Sequence, residues 1–119
     1  MAITHDCVEQ ATSVYHGALL GGLSKALGEC GISSRVISTI RLRLVFGDYP
    51  TPRHVRPVLE VRGADRGLRA TVSIVRGARE VAYSVRPADG ERYYLFPVSE
   101  HEIAVAFVVG RARDWQLTR

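Results

Sequence analysis

A series of short segments rich in β-branched and aromatic residues, separated by tight turns, constrains this fold more than any other feature. The segments are VLEVRG, LRATVSIV, EVAYSV and RYYLFPV, and the turns between them are GADRG, RGAR and PADGE. Residues 35–46 precede them and also alternate, with Ile40, Leu42, Leu44 and Phe46 on one side. Because parallel strands need long crossover connections, turns this short predict an antiparallel meander of about five strands.

A proline-rich stretch, GDYPTPRHVRP, follows the first of these strands. Its prolines are Pro50, Pro52 and Pro57. Proline cannot donate a hydrogen bond to a central ladder, so the stretch predicts a loop of about ten residues.

Residues 6–28 predict an N-terminal helix. Asp6 and Glu9 have the spacing of a capping box, and Gly31 followed by Ile32 predicts the end of the helix. The stripe that we expect to face the sheet consists of Val8, Ala11, Tyr15, Leu19, Leu23, Ala26 and Leu27.

Residues 99–113 predict a second helix. Ser99 and Glu102 have capping-box spacing, and Ile103, Ala106, Phe107 and Gly110 share one helical face. The β-branched run IAVAFVVG leaves a sixth strand as the alternative.

These elements predict a single α+β domain over residues 1–119: a helix, an antiparallel sheet of about five strands, and a second helix. Both helices are expected on the same face of the sheet, because the other face carries Arg, Thr and Ser. A chain of 119 residues can bury a core without a metal or disulfide. Cys7 and Cys30, as free thiols, agree with a reducing compartment, and the start of the chain does not resemble a signal peptide, so we expect a cytoplasmic protein with no membrane span.

The chain is basic, with a formal net charge of +4, and all of its basic residues except Lys25 are arginine. Such a strong preference for arginine indicates a GC-rich genome more than a nucleic-acid surface. Arg41 and Arg43, and further along Arg69 and Arg86, are expected on the exposed face of the sheet. With Tyr93 or Tyr94 they could bind single-stranded nucleic acid, but Glu60, Glu80 and Glu91 are expected to pair with some of these arginines.

No motif in the sequence indicates a reaction, a metal site or a cofactor. His5 and Cys7 lack a second ligand pair at metal-binding spacing, and GLSKA departs from the nucleophile-elbow pattern. Asp48, Tyr49 and His54 are the best acid–base group, yet they are also ordinary loop residues. A pocket between helices and sheet, around Tyr15, His16 and Tyr83, would suit a small ligand-binding protein or enzyme.

Two features favour contact with another protein. Gly17, Ala18, Gly21 and Gly22 leave a flat patch on the first helix, which serves either close packing on its own sheet or approach of a second copy's helix. Of these two readings, packing on its own sheet is favoured. Trp115, the single tryptophan, lies in the tail DWQLTR and is either a lid on the core or an anchor for a partner.

Two segments, YHGALLGGLSKALGECGIS and YYLFPVSEHEIAVAFVV, resemble small helix–sheet–helix proteins of actinobacteria that have no assigned function. The architecture is also similar to secretion-chaperone-like α+β domains. That resemblance implies a dimer that binds protein clients and supplies no catalytic residue.

The sequence therefore predicts a non-catalytic accessory or adaptor protein that acts through protein–protein contact as a homodimer. The expected contact residues are Gly17, Gly21, Arg41, Arg43 and Trp115. The two alternatives are a nucleic-acid-binding domain that uses the arginine-rich sheet face, and a ligand-binding protein or enzyme.

Overall fold

The computed structural model describes residues 7–43, 51–63, 65–90 and 92–117, with side chains described for 8–40, 54–63, 65–90 and 92–112. The elements in chain order are β1 (Cys7–Val8), α1 (Gln10–Glu29), β2 (Ser33–Arg43), β3 (Thr51–Arg62), β4 (Leu68–Arg76), β5 (Val81–Pro87), β6 (Tyr94–Pro97) and α2 (His101–Leu117). A 3₁₀ turn at Val98–Glu100 leads into α2.

Strands β2 to β6 form one antiparallel sheet in which each strand pairs with the next along the chain. The two-residue strand β1 pairs with Val55 and His54 of β3, on the side of β3 that β4 occupies further along. The predicted α+β class and the antiparallel meander of about five strands are confirmed.

The prediction of a loop through Pro52 and Pro57 is wrong, because both prolines lie inside β3. The register between β2 and β3 shifts between Ile37 and Thr39, and this irregularity leaves Arg56 and Pro57 outside the ladder. Pro57 also falls between the residues that pair with β1 and those that pair with β4. Its missing N–H is therefore at a site where the ladder does not need one.

The far half of β2 does not bury the side chain that alternation predicts. Ile40 is 57% exposed, and Leu44 and Phe46 lie outside the described residues. Ile40 of β2 and Val8 of β1 both pair with His54 of β3, one on each side. Strand β1 immediately precedes α1, so this position lies beyond the start of the helix. That half of the β2–β3 hairpin lies at the end of the helix layer, so α1 does not cover Ile40.

Helix α1 begins later than predicted. Cys7 belongs to β1, Glu9 is the N-cap, and the cap makes no side-chain hydrogen bond. The predicted C-terminal end is confirmed: Gly31 has φ 80°, its N–H donates to the Gly28 carbonyl, and Ile32 N–H donates to the Leu27 carbonyl. This pair of bonds is a Schellman cap, in which glycine takes the left-handed position without a steric penalty.

The predicted helix stripes are confirmed only in part: Leu23 and Leu27 of α1 are buried as expected, whereas most other buried positions lie beside the predicted stripe. In α1 the buried residues are His16, Leu20, Leu23 and Leu27, whereas Tyr15 is 50% exposed. In α2 the buried residues include Ala104, Val108 and Ala112, whereas Ile103 is 53% exposed. The helical prediction for residues 99–113 is confirmed, but Ser99 belongs to the 3₁₀ turn and its N–H donates to Oε1 of Glu80.

Both helices contribute to one hydrophobic core on a single face of the sheet. Residues Leu59, Val72 and Val85 are in register across β3, β4 and β5, and all three are fully buried. Leucines of α1 and small residues of α2 complete this cluster. The opposite face of the sheet has no helix over it within the described residues, and it carries Thr71, Ser73, Ser84 and Arg86.

Arg69 departs from the exposed position that strand alternation predicts. The register between β3 and β4 shifts between Val61 and Arg62, and Arg69 is the extra residue at that point. It is 5% exposed, and its Nη2 donates to Oδ1 of Asp65 at 2.6 Å. The side chain lies over Gly63, where a Cβ would come within 2.6 Å of Arg69 Nε.

Candidate functional site

Strand β2 forms one edge of the sheet. Within the described part of the chain it pairs only with β3, along eleven residues from Ser33 to Arg43. Its central stretch, Val36–Ile40, carries no charge, and Ile40 is largely exposed. A long edge with unpaired backbone groups is a template for pairing with another chain.

Of the predicted contact residues, Arg41 and Arg43 lie in β2, at the end of this edge. Their side chains are outside the described residues. Trp115 belongs to α2 rather than to a separate tail, since α2 continues to Leu117, and its side chain is likewise outside the described residues.

The glycines of α1 do not serve close packing inside the chain. A Cβ at Gly17, Gly21 or Gly28 would meet no atom within 4 Å. The interpretation that these glycines allow α1 to pack tightly on its own sheet is therefore wrong. Their absence of side chains leaves open space along α1.

This open space lies on the flank of α1 that is above β2. Ser24 Oγ is 2.7 Å from Ser34 Oγ of β2, which fixes the side of the helix that Ser24 occupies. Gly17, Gly21, Ser24 and Gly28 have the i, i+4, i+7, i+11 spacing of one helical stripe. The edge of the sheet and the small-residue stripe of α1 are thus on the same side of the molecule.

The three residues of the predicted ligand pocket have different environments. Tyr15 is half-exposed, whereas His16 and Tyr83 are buried at 7% and 2% exposure. The rings of Tyr15 and His16 are 6.1 Å apart, between centroids. Tyr83 Oη lies 3.0 Å from Nδ1 of His101, a partner that the sequence pattern does not indicate.

Burial is the largest cause of the pKa shifts of His16 and Tyr83. It lowers the pKa of His16, and the nearby positive charge of Arg56 lowers it further. Burial also raises the pKa of Tyr83, with a smaller contribution from Tyr15. Both side chains are therefore neutral near pH 7, and the Tyr83–His101 pair joins β5 to the first residue of α2.

A second aromatic cluster joins β6 to α2. The Phe107 ring lies 4.8 Å from the Tyr94 ring and 5.1 Å from the Phe96 ring, between centroids. Arg111 Cζ is 5.6 Å from the Tyr94 centroid and 5.3 Å from the Phe107 centroid, which is cation–π distance. Sequence reasoning did not find this cluster, since it joins residues far apart in the chain.

The open face of the sheet is polar and slightly concave. Arg35, Glu60, Thr71 and Arg86 are directly opposite one another across four strands. A hollow of about 240 Å³ beside them includes Ser73, Ser84 and Tyr93 in its lining. Glu60 pairs with arginines other than those predicted: its Oε1 is 3.0 Å from Arg62 and 3.9 Å from Arg35.

The other two acidic residues give different outcomes. Glu80 accepts the Ser99 N–H, and Glu91 lies outside the described residues.

Among the described residues, no group of three His, Cys, Asp or Glu side chains is placed to hold a metal ion. Neither helix, over the residues that the structure describes, is long and apolar enough to cross a membrane. Cys30 lies on the surface of the protein.

Comparison with known proteins gives no match to the chain: no family model, no curated protein and no solved structure is significantly similar. The surfaces described above are therefore the basis for assigning a function.

Proposed function

We propose that this chain is a non-catalytic adaptor protein of the cytoplasm that acts through protein–protein contact as a homodimer. The observation that carries the proposal is the position of the open β2 edge directly beside the small-residue stripe of α1. Each feature alone is common in small domains. Together they form one surface with unpaired backbone groups below and space for a second helix above.

Symmetry defines how two copies would meet. A two-fold axis perpendicular to the sheet makes the two β2 strands antiparallel neighbours and keeps both helix layers on the same face. The two sheets then continue into one another across the pair of edges. A pairing centred on Ile37, in the uncharged stretch Val36–Ile40, places Arg35 opposite Thr39 of the second copy and does not oppose like charges.

The spacing of the helices is consistent with this arrangement. Helix α1 packs mainly over β2 and β3, so its axis lies about half a strand spacing inside the edge strand β2. With strands about 4.8 Å apart, the two α1 axes would be separated by about 10 Å. Packed helices in proteins lie about 8–10 Å apart, and small side chains at the contact favour such distances. Gly17 and Gly21 supply that contact without displacing any atom of their own chain.

Dimerisation would give the adaptor an extended binding surface. The open sheet faces of two copies, with the hydroxyl groups of Thr71, Ser73 and Ser84, would form one continuous polar surface. Such a surface suits a protein client, whereas the part-buried Tyr83–His101 pair connects β5 to α2.

Sedimentation velocity of the pure protein at micromolar concentration tests the dimer. We expect a species with twice the 13.1 kDa mass of the chain. A chain that remains a monomer throughout this concentration range would refute the homodimer.

Two leucine substitutions test the surface itself. Gly21→Leu places a large side chain on the stripe above β2, and we expect it to convert the dimer to a monomer. Gly22→Leu is the matched control, because its Cβ also meets no atom within 4 Å but points away from the β2 flank. Both variants gain helix propensity, so neither should unfold the monomer. Equal dimerisation of the two variants would exclude this surface.

A further inference from the structure

A concavity of about 690 Å³ lies where β2 begins, β3 ends and the β3–β4 turn passes between them. Its lining includes Ser33 and Arg35 of β2, Glu60 and Arg62 of β3, and Arg66 of the turn. Three arginines against one glutamate give this lining a formal charge of +2. Its volume is in the range of small-molecule sites.

The arginines of the concavity are held in place by the backbone and by Glu60. Arg62 donates from Nη2 to Glu60 Oε1 and from Nη1 to the Arg66 carbonyl, both at 3.0 Å. Arg35 is 3.9 Å from the same carboxylate oxygen, and its side chain is 74% exposed. Glu60 therefore orients the Arg62 guanidinium, lies within ion-pair distance of Arg35, and can neutralise only one of these two charges.

The turn that carries Arg66 is fixed by its own hydrogen bonds. Gly63 N–H donates to the Gly67 carbonyl at 3.0 Å, and Arg66 N–H donates to the Gly63 carbonyl at 2.9 Å. Asp65 Oδ1 accepts from Gly67 N–H at 3.0 Å and from Arg69 Nη2 at 2.6 Å. The buried Arg69 side chain thus attaches the turn to the end of the sheet.

Arg66 has an unusual backbone conformation. Its φ is 64°, in the left-handed region where a residue with a Cβ is unfavourable and glycine is not. Strained residues of this kind occur at ligand sites more often than elsewhere. Within the described residues the Arg66 guanidinium makes no hydrogen bond, so its donors are available to a ligand.

We propose that this concavity binds a phosphate group, either free or carried by a small molecule. A phosphate monoester has a charge of about −1.5 to −2 at pH 7, which matches the formal +2 of the lining better than a single carboxylate does. Guanidinium groups bind phosphate through paired N–H donors. Arg35 and Arg66 supply those donors and Ser33 adds a hydroxyl group, while Glu60 keeps Arg62 in position.

Titration at constant ionic strength tests the site. The probes are inorganic phosphate, ribose 5-phosphate and gluconate, with chloride to balance the salt, followed by calorimetry and by NMR of the arginine Nε–Hε groups. We expect saturable binding of one phosphate per chain and weaker binding of gluconate. Tighter binding of ribose 5-phosphate than of inorganic phosphate would identify a phosphorylated molecule as the ligand, and the reverse would identify free phosphate. Failure of both phosphate probes to saturate, or equal binding of gluconate, would overturn the proposal.

Arg66→Gly separates binding from folding. Glycine relieves the left-handed backbone, so the variant should fold at least as well as the wild type. Loss of the charged donor should weaken phosphate binding about tenfold. Arg79→Ala is the control, because Arg79 is an exposed arginine of the β4–β5 turn and is not part of the concavity. Unchanged affinity in Arg66→Gly, or an equal loss in Arg79→Ala, would contradict the assignment.

The phosphate site does not depend on the proposed dimer. Gly21→Leu should abolish dimerisation and leave phosphate affinity unchanged. Arg66→Gly should weaken phosphate binding and leave dimerisation unchanged. The two proposals can therefore fail separately.

Discussion

Tyr83 Oη and His101 Nδ1 lie 3.0 Å apart, and this hydrogen bond joins strand β5 to the first residue of α2. Tyr83 is 2% exposed, and its ring packs 6.0 Å from the His101 ring, between centroids. The tyrosine is thus buried, while its partner His101 is half-buried. This pair stabilises the contact between helix and sheet.

Tyr83→Phe should lower the free energy of unfolding by about 1 kcal/mol, since the ring still fills its space but one buried hydrogen bond is lost. Urea unfolding, monitored by circular dichroism, measures this change. Tyr93→Phe is the matched control, because Tyr93 is 65% exposed. A loss of stability in the control as large as that in Tyr83→Phe would show that the bond is not the cause.

The strands could be predicted because their turns are local signals. Alternation in LRATVSIV and EVAYSV gave β4 and β5, and both are confirmed. The sequence did not reveal the irregularity in β3. Pro57 is tolerated there because β1 pairs with β3 before it, β4 pairs with β3 after it, and the β2 register shifts beside it. Arg69 was misplaced for the same reason: a register shift, which no local pattern indicates, turned it into a buried residue.

The buried helix faces can be predicted only in part: Leu23 and Leu27 lie on the predicted stripe of α1, whereas the start of that face and the face of α2 lie about one residue away. In α1 both Leu19 and Leu20 fit a helical stripe. The stripe that is buried includes the polar His16, and a polar residue is not expected on a buried face. In α2 every residue from 103 to 109 is apolar, and the small Ala104 and Ala112 face the sheet because they permit close packing. Tertiary packing, and not periodicity, decided between these alternatives.

The candidate sites were predicted only in part. The glycines of α1 could be recognised as unusual, because glycine is unfavourable in a helix interior. The concavity of Arg35, Arg62 and Arg66 could not be recognised, because its residues come from two strands and a turn. Their convergence depends on the register between β2 and β3, where Arg35 is opposite Glu60.

His16 should make the stability of the protein depend on pH. Burial and the charge of Arg56 place the pKa of His16 below its ordinary value of 6.5. Between these two values the unfolded chain binds a proton that the folded chain does not. The free energy of unfolding therefore decreases as the pH falls from about 6.5 toward the pKa of the folded state.

His16→Phe removes this titration and retains an aromatic ring of similar size. We expect the loss of stability between about pH 7.5 and pH 5.5 to be smaller in this variant than in the wild type. Arg56→Gln should give an intermediate result, because it removes the smaller of the two causes. An identical pH dependence in the wild type and in His16→Phe would contradict the role of burial.

Glu80 should hold the start of the C-terminal helix segment. Its Oε1 accepts the Ser99 N–H at 2.9 Å, and this bond lowers the pKa of Glu80. Glu80→Ala should therefore increase hydrogen exchange at the Ser99 amide, measured by NMR. In the wild type the same amide should lose protection only as the pH falls through the lowered pKa of Glu80, which lies below the ordinary value of 4.5. Unchanged exchange in Glu80→Ala would show that the bond does not form in solution.

Replacing Gly77 and Gly28 with alanine, one at a time, should have opposite effects on the free energy of unfolding. A Cβ at Gly77 would overlap the carbonyl oxygen of Glu80, the same oxygen that accepts the Gly77 N–H at 2.9 Å. Backbone at a tight turn cannot move as a flexible side chain can, so Gly77→Ala should lower the free energy of unfolding by about 1–3 kcal/mol. Gly28→Ala adds its Cβ to open space on α1 and should raise that free energy by up to about 1 kcal/mol.

Thermal and urea unfolding of both alanine variants measure these changes, at a protein concentration low enough to keep the wild type monomeric. The condition matters because Gly28 belongs to the stripe above β2, where an added methyl group would also affect the dimer. A stabilised Gly28→Ala monomer that dimerises less well than the wild type would show that this glycine serves association and costs the isolated chain stability. If Gly28→Ala instead stabilised the monomer and left dimerisation unchanged, the C-terminal end of the stripe would lie outside the contact, and Gly17 and Gly21 alone would have to form it.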